Sequence, residues 1–595
     1  MASDNPQITA VSDHLSTYST QDGGACQKMA DLWCTYAATR ALSWLNAQPC
    51  DVLSCRDFIL NCQNADGGFA WQRGMRSDVW ATYYCTQTLV HLGCDIPQKH
   101  QLKDWLASLL TMEGGFAMTP GQPPDIWATY YAVRTFYEIL QQPLDSPVSV
   151  YHWLSATQQP SGGLGWNTQP CTADVRACYY GAVAWQTIGT TWADIPGWDQ
   201  PALCGWVQNR QTPAGGFVFQ ETDLIPCLWA TFRAVGALHA LGSEPTNRTK
   251  CIEWILKRKK LGSGFTRWEE YPIVDVWACF SAIGALNMLG YQWPPTQRAE
   301  VVDFLHSCQL PGTGFTYREP GCAGDALATA ALTISYQLTQ GTTHESDPLQ
   351  QGRIQWLQNA QMPFEDGVMY MPGRGAEIRC TLWTLSALRI AQQSQLNRQR
   401  LLKWFRETQN PDGGFGYWHG RGSDIVATVS ALECLQLLGI PFDGIDYARV
   451  MQFLRDCATE TGIKYSPGGD ITLTTLCQGI RGFFLLQQFE DAHKYVPAIA
   501  AHASKIGGYA ARPGGIPDLL STYQAVYTQQ TLGQPWDAHA IGRFLKKIRR
   551  SPEYCWTPLS WQNAGPLATC LGLLLEQAVS AAQRQSAVEL LPLNL

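Results

Sequence analysis

The sequence predicts an all-α fold of two α/α barrels of the α6-α6 type. Three observations carry that expectation: a motif recurring twelve times at intervals of 46 to 53 residues, two alternating helix patterns within each interval, and a copy number that fills two rings of six. Aligned on its acid, the series runs Asp31, Asp78, Asp125, Asp174, Cys227, Asp275, Asp325, Glu377, Asp424, Asp470, Asp518 and Gly565. Thr stands four residues later in ten copies, and Cys178 and Cys279 take its place in the other two.

Each copy reads as a helix pair. The first helix ends in phrases such as FILNCQ, WVQNRQ and FLHSCQ, with apolar residues at helical spacing, and a Gly-rich loop (NADGGFAW, PAGGFVF, PDGGFGYW) stops it. The second begins at the acid and continues as DIWATYYAVRTF or DVWACFSAIGAL, apolar all round, which marks a helix buried on every side. An Asp at that position accepts the free N–H groups of the first turn and matches the helix dipole, so capping is the ordinary explanation of the acid series. An open solenoid needs capping repeats, whereas two closed rings of six need none. The expected division is 20–300 for the first barrel and 301–595 for the second, near the turn WPPTQ, with segment 1–19 packing on the second barrel.

Composition narrows the function. At 595 residues, with 45% apolar and 15% charged, the chain is expected to form two large cores. A net charge of −7 without a basic tract argues against a nucleic-acid binder. The 21 Cys include no Cys-x-x-Cys, and the N-terminal stretch lacks a basic start and an apolar run, so a cytoplasmic location with Cys as small apolar filler is expected. No run approaches ~18 apolar residues, so no membrane span is expected. The 24 Trp and 23 Tyr fit core packing or a pocket that holds a cation against aromatic faces.

The phrase Gln-x-x-x-Gly-x-aromatic, in Gln63–Trp71, Gln211–Phe217 and Gln409–Trp418, resembles the QW repeats of squalene–hopene and related class II terpene cyclases. The Gly-Gly-Phe loop followed by Asp and a buried helix also resembles the β subunit of protein prenyltransferases. Both belong to one superfamily of α/α toroids, and the likeness spans essentially the whole chain. Its two-barrel length is closest to the βγ arrangement of the cyclases, which implies no need for a partner protein. Class II cyclases start with an Asp-x-Asp-Asp motif, but the matching copies here read Asp325-Ala-Leu-Ala-Thr329 and Glu377-Ile-Arg-Cys-Thr381. No two consecutive Asp occur anywhere, which also removes the Asp-Asp-x-x-Asp magnesium motif of class I synthases. The zinc-ligand spacing of the prenyltransferases is missing too, so no zinc is expected.

Loops preceding the last inner helices carry a run of cations: Arg318, Arg374, Arg421, Lys464 and Arg512. Cations and helix N-termini at one barrel mouth suit a diphosphate. Tyr370, Trp383, Tyr417, Trp418, Tyr465, Tyr509 and Tyr523 lie in the same loops or first turns and would shield a carbocation. Asp325, Glu377 and Asp424 are the candidate catalytic acids, and Asp424, Asp470 and Asp518 the candidate ligands of Mg²⁺. The resemblance implies a terpene cyclase or synthase, a lyase or isomerase that closes a prenyl diphosphate through a carbocation; the missing acid pair and the cation-lined mouth favour a start by Mg²⁺-assisted departure of diphosphate. Two alternatives stay open: protonation by a lone Asp or Glu, and an inactive toroid that binds an isoprenoid or a protein.

Overall fold

The computed structural model describes residues 14, 16–26, 30–71, 76–189, 197–269, 273–340, 347–363, 365–372, 374–393, 396–441, 444–559, 565–586 and 588–595. The chain divides into two compact units, 29–320 and 1–28 with 321–595. Each is a closed ring. In the first, the inner helices Leu32–Trp44, Val79–His91, Ile126–Arg134, Val175–Ile188, Leu228–Ala240 and Val276–Met288 pack in succession, and the last packs on the first. In the second, Ala326–Gln340, Ile378–Ile390, Ile425–Leu437, Leu473–Leu485, Leu519–Thr531 and Gly565–Gln583 do the same. Outer helices such as Val52–Leu60 and Tyr447–Cys457 alternate with them along the chain and bury one face.

Local hydrogen bonds explain the repeat. In the ninth copy the Phe415 N–H donates to Thr428 Oγ1 at 2.9 Å, and the Asp424 N–H donates to the Phe415 carbonyl at 3.2 Å. The same two bonds fasten Phe69 to Thr82 and Asp78, and Phe116 to Thr129 and Asp125. Where Cys replaces Thr its sulfur accepts the bond instead: Leu164 N–H to Cys178 and Phe265 N–H to Cys279, both at 3.3 Å. The two exceptions in the sequence pattern are therefore substitutions of one acceptor for another. The Asp side chain caps its own helix, as Asp78 does for the Ala81 N–H at 3.0 Å. Where an outer helix ends in Gln, that side chain joins neighbouring copies. Gln409 donates to the carbonyls of Gly413 and Asp446 and accepts the Asp446 N–H. Gly413, at φ +89°, lies where a Cβ would come within 2.2 Å of the Arg449 carbonyl oxygen, so glycine is required there.

Those bonds also explain why the units divide where they do. Asp31 is fastened not to the loop before it but to Phe315, whose N–H donates to Thr35 Oγ1 at 3.0 Å. Gln309 completes the first ring by bonding to the carbonyl and N–H of Asp51. Asp325 is fastened to Ala25, whose N–H donates to Thr329 at 2.9 Å. The boundaries expected at 20 and 300 therefore move, because helix Pro295–Ser307 and its loop complete the first ring while the N-terminal loop completes the second. Of segment 1–19, residues 1–13 and 15 lie outside the described residues.

The two interiors differ at one register. Five residues past the cap, all six copies of the first ring carry an aromatic: Tyr36, Tyr83, Tyr130, Tyr179, Phe232 and Phe280. Neighbouring centroids stand 6.0, 5.9, 5.6, 5.4, 5.1 and 5.8 Å apart around a closed circle. The second ring carries Ala330, Leu382, Val429, Cys477, Tyr523 and Cys570 there. Helix Gly565–Gln583 is long and apolar enough to cross a membrane, but it is an inner helix and 78% of its apolar window is buried.

Candidate functional site

One recurring bond decides which side chains gather at the start of each inner helix. The first helical N–H is an orphan donor, and it finds the carbonyl two residues past the fastened loop residue of the next copy. Thus Ala326 donates to Tyr370, Ile378 to Tyr417 and Ile425 to Tyr465, at 2.7, 2.9 and 2.9 Å. Each tyrosine is thereby held over the cap of the preceding helix. The Tyr465 hydroxyl donates to Asp424 Oδ2 at 2.9 Å, while Asp424 Oδ1 accepts the Ala427 N–H at 2.8 Å.

Asp424 is 1% exposed, and burial pushes its carboxyl up to about 6 against the opposing pull of the Ala427 N–H, Tyr465, Arg421 and Arg379. Burial, then the neighbouring Asp424 carboxylate, also push the hydroxyls of Tyr417 and Tyr465 up, so both remain protonated donors. Glu377 stands apart from the other caps. Its longer side chain accepts no capping bond from a backbone N–H of its helix and instead meets two side chains of the first turn, Arg379 Nε at 2.5 Å and Cys380 Sγ at 3.8 Å. The Arg379 guanidinium lies 4.5 Å over the Tyr417 ring. The mouth of the second ring thus joins the buried acids Glu377 and Asp424 with the half-buried Arg379, Tyr417 and Tyr465 in one constellation.

Other expected members fall elsewhere. Asp325 caps its own helix through the Ala328 N–H at 2.7 Å. Arg318 precedes Asp325 in sequence but belongs to the first unit, where it lies 5.6 Å over Tyr317 and bears electrostatically on Asp275. Arg374 lies 5.0 Å over Tyr370, and Lys464 reaches the Pro467 carbonyl of its own loop. Arg421 is half-buried and bears electrostatically on Asp424. Arg512 is exposed and pairs with Asp470 at 3.5 Å, a surface contact contributing about 0–1 kcal/mol.

The metal set does not assemble. Asp470 is exposed and does not begin its helix; Thr472 is the cap, in a reciprocal capping box with Thr475, so the tenth copy is shifted by two residues from its sequence alignment. Asp518 caps through the Ser521 N–H at 2.7 Å, and Asp424 is committed to Ala427 and Tyr465. Among the described residues no group of three or more His, Cys, Asp or Glu comes together. These residues do not fit a bound Mg²⁺.

The aromatic residues also separate. Tyr417 and Trp418 stand at the mouth with ring centroids 6.2 Å apart. Tyr509 is the fastened loop residue of its copy, bonded through its N–H to Thr522 and through its hydroxyl to Gln529. Trp383 and Tyr523 are fully buried and meet residues 588–595, which run inside the second ring: Trp383 Nε1 donates to the Asn594 carbonyl and the Tyr523 hydroxyl to the Leu591 carbonyl, both at 2.8 Å.

Three features escaped the sequence reading. Arg379 follows its acid by two residues, as Arg176 follows Asp174, where Nε and a terminal nitrogen grip the carboxylate at 2.9 and 2.7 Å. That acid-x-Arg spacing was the available signal. Asp275 in the first ring repeats the tuning of Asp424: burial raises its carboxyl to about 6 against the Ala278 N–H, Tyr317, Arg267 and Arg318. The third is the buried pair Arg481–Glu433 at 2.9 Å, for which helical spacing gave no signal.

The family model described as the prenyltransferase alpha-alpha toroid domain matches residues 4–78, 72–266, 195–375, 370–471 and 470–563. No curated protein matches the chain. Among solved structures, it is similar to an ent-copalyl diphosphate synthase from Streptomyces platensis, at 14% identity and a TM-score of 0.45, covering 97% of this chain and 100% of that one. It is also similar to the protein geranylgeranyltransferase-I of Candida albicans, at 15% identity and a TM-score of 0.37, covering 45% and 88%. The type II terpene cyclase MstE from Scytonema is similar at 14% identity and a TM-score of 0.32, covering 48% and 96%.

Proposed function

The chain belongs to the prenyltransferase alpha-alpha toroid domain family, and from that membership we propose an isoprenoid cyclase that closes a prenyl diphosphate by protonating an alkene, with Asp424 as the acid. One observation carries the proposal: a buried carboxyl at the mouth of the second ring whose ionisation is pushed up to about 6, so that it keeps its proton in mildly acidic solution where an ordinary carboxyl has lost it.

Asp424 Oδ1 is occupied by the helix N–H, so the transferable proton rides on Oδ2 beside the Tyr465 hydroxyl. The proton passes from Oδ2 to the less substituted carbon of a terminal alkene. The alkene π pair forms the new C–H bond and leaves a cation on the more substituted carbon. The carboxylate left behind faces the positive charges of Arg421 and Arg379. A second alkene closes the ring onto the cation, and loss of a proton from an adjacent carbon ends the sequence. The Tyr417 ring at the same mouth contributes about 0.5–2 kcal/mol to a nearby cation. Arg374 and Lys464, both half-buried, are the proposed diphosphate partners, with the adjoining helix N-termini.

A second reading, an isoprenoid-binding toroid without turnover, is favoured by residues 588–595, which already fill the interior of the second ring. Incubation with geranyl, farnesyl and geranylgeranyl diphosphates, with and without Mg²⁺, separates the two. A cyclic product that keeps its diphosphate supports protonation. Tight binding without product supports the second reading, and diphosphate release with Mg²⁺ as the first event contradicts the proposal.

A further inference from the structure

The second ring has an interior occupant that the first ring lacks room for. Residues 588–595 (VELLPLNL) run from the end where the inner helices finish toward mid-depth. Glu589 pairs with Arg389, near the last turn of its helix, at 3.4 Å. Leu590 is 2% exposed, and Leu593 and Asn594 are fully buried. Asn594 stands level with Ser430, six residues and about 9 Å of helix rise beyond Asp424.

The ring grips this segment with side chains. Tyr523, Gln524 and Trp383 each donate to one of its carbonyls, those of Leu591, Leu593 and Asn594, all at 2.8 Å. The Asn594 amide accepts from Arg481 at 3.1 Å and from Gln478, and donates to Ser430 and Glu433 at 2.8 and 2.7 Å. Arg481 and Glu433 are already paired with each other, and Arg481 also reaches Thr528 at 2.7 Å. Removing Asn594 therefore leaves a closed ion pair rather than an orphaned buried charge.

Three features make the segment an occupant rather than part of the wall. Among the described residues, none of its N–H groups bonds to backbone of the ring. The wall at the aromatic register of the first ring is here Ala330, Leu382, Val429, Cys477, Tyr523 and Cys570, which leaves the space it fills. Its entry lies beside an open cleft of about 530 Å³ lined by Arg389, Gln436, Leu438, Tyr527, Glu589 and Pro592. The segment is a leucine-rich stretch outside helix and strand, held by the polar girdle of Ser430, Glu433, Gln478, Arg481 and Gln524.

We propose that residues 588–595 are a displaceable occupant of the second ring's lumen, which a prenyl chain replaces on binding. The inference rests on the reading that this ring takes a prenyl chain. The segment then sets apparent affinity: ligand binds only the fraction of molecules with the lumen vacated, and the dissociation constant rises by the inverse of that fraction.

The test uses the full chain, geranylgeranyl diphosphate as probe, titration calorimetry, and hydrogen–deuterium exchange of fragments covering 588–595. Leu593→Asp places a carboxylate at a fully buried apolar position and expels the segment; Asn594→Ala is the milder variant, should the first fold poorly. The expected results are exchange in 588–595 that rises at saturating ligand in the unsubstituted chain, and binding at least tenfold tighter in either variant. A synthetic peptide of residues 588–595 should compete with the probe for the Leu593→Asp protein. Continued protection of the segment at saturating ligand, or unchanged affinity in both folded variants, overturns the occupant alone. Absence of probe binding to every protein overturns the prenyl-chain reading and the occupant together.

Discussion

Replacing Asp424 by Asn should change how stability depends on pH, with a sign and size the structure supplies. Asn keeps an oxygen for the Ala427 N–H and an amide beside the Tyr465 hydroxyl, so cap and packing survive while the titration disappears. The carboxyl rises from 3.8 unfolded to about 6 folded, about two pH units, or about 3 kcal/mol at 1.36 kcal/mol per unit. Between those values the folded state holds the proton and the unfolded state releases it, so stability falls as pH rises through the window. Relative to Asp424→Asn, the unsubstituted chain should therefore be most stable on the acid side of pH 4. It should lose the full amount above pH 6, with about 1.4 kcal/mol of the loss falling between pH 5 and pH 7.5. At about 2 °C per kcal/mol for a unit of this size, the gap in thermal midpoint shifts by about 3 °C over that interval. A gap that stays flat, or that widens in favour of the acid as pH rises, would show that burial does not govern this carboxyl.

Three further outcomes follow from the packing. Thr428→Val leaves the buried Phe415 N–H without its acceptor and should cost about 1–3 kcal/mol by denaturant midpoint, whereas Thr428→Cys should cost less, because Cys178 and Cys279 serve that bond elsewhere. Tyr130→Ala opens the aromatic circle of the first ring and removes the hydroxyl that accepts from Arg134 at 2.5 Å, for a loss of about 3–5 kcal/mol in the same assay. Gln309→Leu breaks the bonds to Asp51 that complete the first ring; faster hydrogen exchange confined to helices Val52–Leu60 and Pro295–Ser307 is the expected signature.

What could be read from the sequence is what local hydrogen bonds repeat. Gln409, Gly413, Phe415, Asp424 and Thr428 recur because each makes a bond within its copy or to the next, and any alignment exposes such a period. The crossing of the chain between units was invisible, because a loop before Asp31 and a loop at Phe315 carry the same phrase and only pairing shows which one Asp31 meets. Asp470 misled for a related reason: its spacing matches the series, but Thr472 offers a better cap and takes the helix start. The aromatic circle was legible at five residues past the cap, provided the register was read across all six copies. Around the candidate acid, Asp424, Tyr417 and Tyr465 were identified, but the bond from the Tyr465 hydroxyl to Asp424 follows only from the Ile425–Tyr465 backbone bond between copies. Asn594 meets Ser430, Glu433 and Arg481 across more than a hundred residues of chain, and no periodicity encodes that meeting.

The pH dependence of cyclisation tests the central claim most directly. With geranylgeranyl diphosphate and the full chain, cyclic product should form at a rate that falls as pH rises through about 6, as Asp424 gives up its proton. Asp424→Asn should bind the same diphosphate yet make no product at any pH. Product formed by Asp424→Asn at the rate of the unsubstituted chain would contradict the account.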